Sequence, residues 1–206
     1  LDVHQEFGGD QRAVLIGHDW GANAGYGVVN HEPAAFRRFV ALAVPPTAAL
    51  GAGLFSYRQL RRSFYIWFIQ QVGLAEMALL ADGFWESLWA DWSPGYDPVD
   101  DIAELRRHIT ADTIAGVINP YRASFNPEFA DPGVADEAAA ALSPPPVPTL
   151  YLHGATDGAI GAELLGDVET YLPAAGSAFR LVDGVGHFLH LEKPEEVAGL
   201  IRDWLG

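Results

Sequence analysis

The chain has 206 residues, half of them hydrophobic and 19% charged, enough apolar side chain to bury a core, which excludes a disordered tail. Twelve Lys and Arg against 27 Asp and Glu leave a formal charge of −15, which sets the surface against phosphate backbones and anionic lipid, so neither nucleic acid nor a membrane is an expected partner. With no cysteine there is no disulfide, thiolate metal site or cysteine nucleophile, and no apolar run approaches the roughly 18 residues of a membrane span.

Residues 1–7 read as the last turns of a helix, stopped by Gly8-Gly9-Asp10. The expected location is cytoplasmic, although a start on Leu1 rather than Met leaves a leader peptide open. Residues 12–17 form a short apolar run that reads as a buried parallel strand. His18-Asp19-Trp20-Gly21 follows, then a small-residue helix over 22–29 and a second strand over 36–44, closed by Pro45-Pro46. Strand, turn, helix, strand is the rhythm of an α/β fold. Between about 47 and 143 the pattern turns helical and aromatic, with expected helices at 57–69, 75–80, 84–89, 99–108 and 112–118. Residues 138–148 read as a proline-stiffened linker. The α/β pattern then resumes with a strand at 149–152, a helix at 162–172, a strand at 179–182 and an amphipathic helix at 193–205 that opens on Pro194. The expected organisation is a sheet unit in two parts, 1–46 and 148–206, interrupted by a helical cap over 47–147.

Gly17-His18-Asp19-Trp20-Gly21 has the form G-x-nucleophile-x-G at a strand-to-helix junction, the nucleophile elbow of α/β-hydrolases with Asp in place of the commoner Ser. The two glycines are expected to leave room for the tight turn. The plain alternative is an exposed Asp that caps a helix. Two further residues stand where such a fold needs them. Asp157 follows the 149–152 strand, in Leu152-His153-Gly154-Ala155-Thr156-Asp157-Gly158, and could also be a simple turn residue. His187, in Gly186-His187-Phe188, follows the next strand and could also be a structural histidine. The order nucleophile, acid, histidine is that of the α/β-hydrolases.

An Asp carboxylate is ionised at neutral pH and attacks without a base. It can displace at saturated carbon and leave an ester on Asp19. His187, oriented by Asp157, then activates water against that ester. The elbow residue therefore points to C–O or C–halogen cleavage at sp³ carbon rather than ordinary ester or amide hydrolysis.

Over the whole chain, the segments GHDWGA (17–22), LHGATDG (152–158) and GHFLHLEKPEEV (186–197) resemble the epoxide hydrolase branch of the α/β-hydrolases, relatives of the haloalkane dehalogenases. The resemblance implies an α/β-hydrolase fold with an inserted helical cap, no cofactor or metal, and a small apolar epoxide plus water as reactants. It also implies two cap tyrosines that donate hydrogen bonds to the epoxide oxygen. Tyr65, in Phe64-Tyr65-Ile66-Trp67-Phe68-Ile69-Gln70, matches the first, and Tyr121, in Asn119-Pro120-Tyr121-Arg122, the second; simple aromatic packing is the alternative for both. Trp20 offers a backbone N–H to an oxyanion. Its indole would bind halide in a dehalogenase and line the pocket in an epoxide hydrolase. His18, Trp67 and Phe68 complete the expected substrate-binding set.

The family pattern also has an eight-stranded sheet whose fifth strand leads to the elbow, and a His-Gly-x-Pro loop with a second oxyanion donor; in this sequence only the nucleophile strand precedes the elbow, and no His-Gly-x-Pro occurs. The expectation is the C-terminal part of a longer hydrolase, poorly active by itself; one lost donor alone typically costs about 10²–10³ in rate. A haloalkane dehalogenase, and a non-catalytic ligand-binding relative, are the competing readings. His187 and His190 lack the ligand set of a metal site. Trp85, Trp89 and Trp92 stand at helical spacing as expected cap core or pocket lining.

Overall fold

The computed structural model describes all 206 residues. After a short helix α1 (Asp2–Glu6), strands β1 (Val14–His18), β2 (Arg38–Leu42), β3 (Thr149–Gly154) and β4 (Ala178–Val182) form one parallel sheet in that order. Alternation along β2 and β3 feeds two cores. Phe39, Ala41 and Tyr151 face Ala22, Tyr26 and Val29 of helix α2 (Trp20–His31). Val40, Leu42, Leu150 and Leu152 face Leu189 of α11 (Leu189–Glu192) and Val197 of α12 (Pro194–Leu205). Burial on both faces explains why these strands read as continuous apolar runs. β1 is an edge strand, and its Ile16 is half exposed.

Eight helices lie between β2 and β3: α3 (Thr47–Gly53), α4 (Tyr57–Arg62), α5 (Phe64–Ile69), α6 (Leu74–Leu80), α7 (Phe84–Trp92), α8 (Val99–His108), α9 (Ile114–Phe125) and α10 (Ala135–Ala140). Their core is a separate aromatic-rich cluster built on Tyr65, Leu79, Trp85, Leu88, Trp89, Trp92 and Ile118. The buried Trp85 indole finds its acceptor in the Leu79 carbonyl at 2.8 Å, which removes the cost of burying an N–H.

Several expected elements differ. The helix foreseen over 57–69 is two helices with a break at Ser63. The helix foreseen over 112–118 starts at Ile114 and continues through Pro120 to Phe125. The helix foreseen over 162–172 is replaced by two 3₁₀ turns, Ala162–Leu164 and Val168–Tyr171, because Gly166 and Asp167, poor helix formers, fall between them. The linker foreseen over 138–148 begins inside α10 and becomes irregular only after Ala140. Helix α3 and the short α11 carry no clear period and were not foreseen.

Candidate active site

The site lies at the carboxyl ends of the strands. Asp19 sits between β1 and α2 with φ 51° and ψ −120°. An L-residue in that region carries about 1–3 kcal/mol of strain, and the turn lifts the side chain clear of the strand. A Cβ on Gly17 would lie 2.4 Å from the Gly21 carbonyl oxygen, so the turn requires glycine there. Gly21 itself faces open space, so the expected need for two glycines reduces to one.

Asp157 follows β3 and is buried. Its Oδ1 accepts the Ala159 and Ile160 amides at 2.8 and 2.9 Å, and its Oδ2 accepts Nδ1–H of His187 at 2.9 Å. The other ring nitrogen of His187 lies 3.1 Å from Oδ1 of Asp19. Three residues separated by up to 168 positions thus form one hydrogen-bonded line. Burial alone would strip the proton from His187, but Asp157 and Asp19 outweigh it and raise the imidazole to about 10. Burial alone would raise both carboxyls; contact with His187 outweighs it and holds each below its ordinary value. The resting state is an imidazolium between two carboxylates.

The line is braced from outside. Glu192 accepts the Gly186 amide with both carboxylate oxygens, at 2.9 and 3.0 Å. His18, expected near the substrate, instead points its Nε2 at the His187 carbonyl, 3.0 Å away, and packs on His190. Burial, reinforced by the charge of His187, lowers His18 to about 4. A neutral ring with Nε2–H as donor satisfies that bond.

Tyr65 on α5 and Tyr121 on α9 meet edge to face with ring centroids 5.8 Å apart. Trp20 stands edge-on to Tyr121 at 4.9 Å, Tyr65 packs on Trp92 at 4.9 Å, and Trp92 lies 5.6 Å from His187. These rings run from the elbow across the helical segment and back to the histidine. Burial, with the charge of Asp19, pushes both tyrosines well above their ordinary range, so both keep their protons. Arg122, next to Tyr121, binds the Ile69 carbonyl at 3.0 Å and Glu76 by two contacts of 2.7 and 3.2 Å, which ties α9 to α5 and α6. Trp67 and Phe68 are not brought to this group: Trp67 packs on Phe55 and Phe125, and Phe68 stacks on Phe84.

Residues 1–200 match the family model described as alpha/beta hydrolase family. The chain belongs to the alpha/beta hydrolase family. Among the relatives of this alpha/beta hydrolase, epoxide hydrolase 1 of Caenorhabditis elegans is 22% identical over 99% of the chain and 50% of the relative. A solved structure reported under novel epoxide hydrolases in metagenomes from hot environments superposes with a TM-score of 0.76 at 22% identity, over 99% of this chain and 70% of the other. A haloalkane dehalogenase loop variant from Bradyrhizobium elkanii superposes with a TM-score of 0.73 at 16% identity, over 98% and 70%. The chain spans about half the length of the curated relatives it matches first.

Proposed function

We propose that this hydrolase opens epoxides to vicinal diols through an ester on Asp19, with the segment between β2 and β3 acting as a cap. The observation that carries the reading is a carboxylate at the elbow in line with His187 and Asp157, beneath two tyrosines held in their protonated form. In the first step an Oδ of Asp19 attacks a ring carbon. The C–O bond breaks and the departing oxygen takes a proton from Tyr65 or Tyr121. Donors aimed at developing charge are commonly worth about 10²–10³ in rate. In the second step water attacks the ester carbonyl and gives its proton to His187. The Trp20 backbone N–H is the donor for the oxyanion, and collapse of the adduct breaks the ester C–O bond; the departing alkoxide takes the proton of the newly added hydroxyl, which releases the diol and restores the Asp19 carboxylate.

The electrostatics fit this order. While Asp19 is a carboxylate, it and Asp157 keep His187 protonated. Esterification removes one of those negative charges. The histidine then sheds its proton more readily; that proton restores the tyrosine hydroxyl left as a phenolate by the first step, and His187 becomes a base when a base is needed. A haloalkane reading is favoured by one observation: the indole N–H of Trp92 is buried without a partner beside Tyr65 and His187, a donor free for a halide.

The test uses the complete reading frame with His187→Gln, exposed separately to an aryl epoxide and a haloalkane, and read by intact mass. A gain equal to the whole epoxide, absent when Asp19→Asn is added, is the expected result. A gain only from the haloalkane, by the alkyl group alone, transfers the protein to the dehalogenase reading. No gain from either rejects the covalent mechanism.

A further inference from the structure

Three backbone groups of the acid loop and two of the histidine loop are held by the helical segment rather than by the sheet. The carbonyl of Trp92, the last residue of α7, accepts two amides at once: Gly158 at 3.1 Å and His187 at 3.0 Å. The next residue, Ser93, is completely buried, and its Oγ accepts the Phe188 amide at 3.0 Å. On α4, Gln59 is 1% exposed. Its Nε2 donates to the Ala159 carbonyl at 2.7 Å and its Oε1 accepts the Gly161 amide at 3.0 Å. Gln59 therefore grips, on either side of Ile160, the turn whose amides hold Asp157.

The fit is close. A Cβ on Gly158 would lie 1.8 Å from the Asp91 carbonyl oxygen, and one on Gly186 would lie 2.5 Å from the Trp92 carbonyl oxygen. The ring of Phe188 stacks on Trp89 at 3.9 Å, which fixes the same loop from its other side. The carbonyl end of α7, where the helix dipole is negative, is thereby set against the backbone of His187.

We propose that Gln59 and Ser93, with the Trp92 carbonyl between them, are positioning residues that let the helical segment hold Asp157 and His187 in register. Neither side chain needs to touch substrate. Removing either frees a loop, lengthens the bond between His187 and Asp157, and slows the water-activating step more than formation of the ester, because attack by Asp19 needs no base. The kinetic half of this rests on the Asp19 ester reading; the geometric half does not.

The experiment takes Ser93→Ala and Gln59→Met in the complete reading frame, with Arg106→Ala as control. Arg106 forms exposed ion pairs with Glu86 and Asp82 in the same helical segment, away from both loops. Two readouts are made. The first is ¹⁵N and ¹H NMR titration of the His187 ring without substrate. Both test variants should lower its midpoint by at least one unit, about tenfold in proton affinity; Arg106→Ala should not move it. The second is single-turnover kinetics with an aryl epoxide. Ester formation should change less than about threefold and ester hydrolysis should slow about 10–10²-fold, so that the adduct accumulates. Should Gln59→Met fail to fold, Ser93→Ala, which leaves the Gln59 bonds to Ser63, Ala159 and Gly161 in place, carries the same two readouts by itself. Unchanged His187 titration in folded variants overturns the proposal. A moved titration with no adduct in any variant supports the positioning role and rejects the ester reading instead.

Discussion

The two halves of the site are fixed by different physics. On the sheet side, Asp19, Asp157 and His187 hang from the carboxyl ends of three parallel strands; strand pairing and Gly17 set the elbow, and bonds from α4 and the end of α7 brace the loops of the other two. On the helical side, Tyr65, Tyr121 and Trp92 come from three short helices, and their placement rests on ring packing and on the Arg122–Glu76 pair. The sheet supplies charge in fixed positions, whereas the helices supply neutral donors and enclosure. Losses on the sheet side should therefore remove chemistry outright, and losses on the helical side should change which step is slow.

The largest expected effect is Asp19→Asn, which should lower kcat by about 10⁴–10⁶ and abolish the mass adduct, judged by the scale of nucleophile removal in other hydrolases. Survival of turnover above a hundredth of the parent would show that charge at the elbow is not the decisive contribution. Next is Asp157→Asn, which keeps the shape and removes the charge that orients His187. By the precedent of a triad acid, hydrolysis should fall by up to about 10⁴, with ester formation far less affected, as separate half-reactions would reveal.

Tyr65→Phe and Tyr121→Phe sharpen the contrast from the other side. Each should slow epoxide ring opening by about 10–10²-fold, below the loss of a full oxyanion donor because the second tyrosine remains. Hydrolysis of the formed ester should be unchanged. A haloalkane should be almost indifferent to either change, so comparison of the two substrates under pre-steady-state conditions separates the readings.

Stability against pH tests the charges with no substrate at all. His187 is raised to about 10 in the fold. Its contribution is therefore full below the ordinary histidine value of about 6.5 and is lost as pH rises through about 10. Asp157 is lowered, so its contribution is present above the ordinary value and is lost as pH falls through its folded value. Urea midpoints should decline at both ends, and His187→Gln should remove the part of the alkaline decline that begins below pH about 10, the rest belonging to the buried tyrosines. The smallest expected change is Arg122→Met. It should cost about 1–3 kcal/mol, the scale of buried charge-assisted hydrogen bonds, through the loss of its bonds to Ile69 and Glu76. The urea midpoint should fall while ester hydrolysis barely moves.

The sequence alone carried the strand rhythm, the elbow and the order of Asp19, Asp157 and His187. Each of these is local: a parallel strand buried on both faces must be apolar, and a strained turn between strand and helix must place glycine at Gly17. The same locality limited the reading elsewhere. The helix foreseen over 162–172 dissolved into 3₁₀ turns, since two weak helix formers outweigh a faint period. His18 lay in the right motif, yet its ring direction depends on a carbonyl 169 residues away. Trp67 and Phe68 shared a segment with Tyr65, but helix geometry turned them into other parts of the aromatic packing. Gln59, Ser93 and the Trp92 carbonyl left no trace in the sequence. A single buried Gln or Ser has no period, and a backbone carbonyl has no letter at all. Only tertiary structure decided them, because a hydrogen bond between distant segments is specified by where two surfaces meet and not by either segment alone.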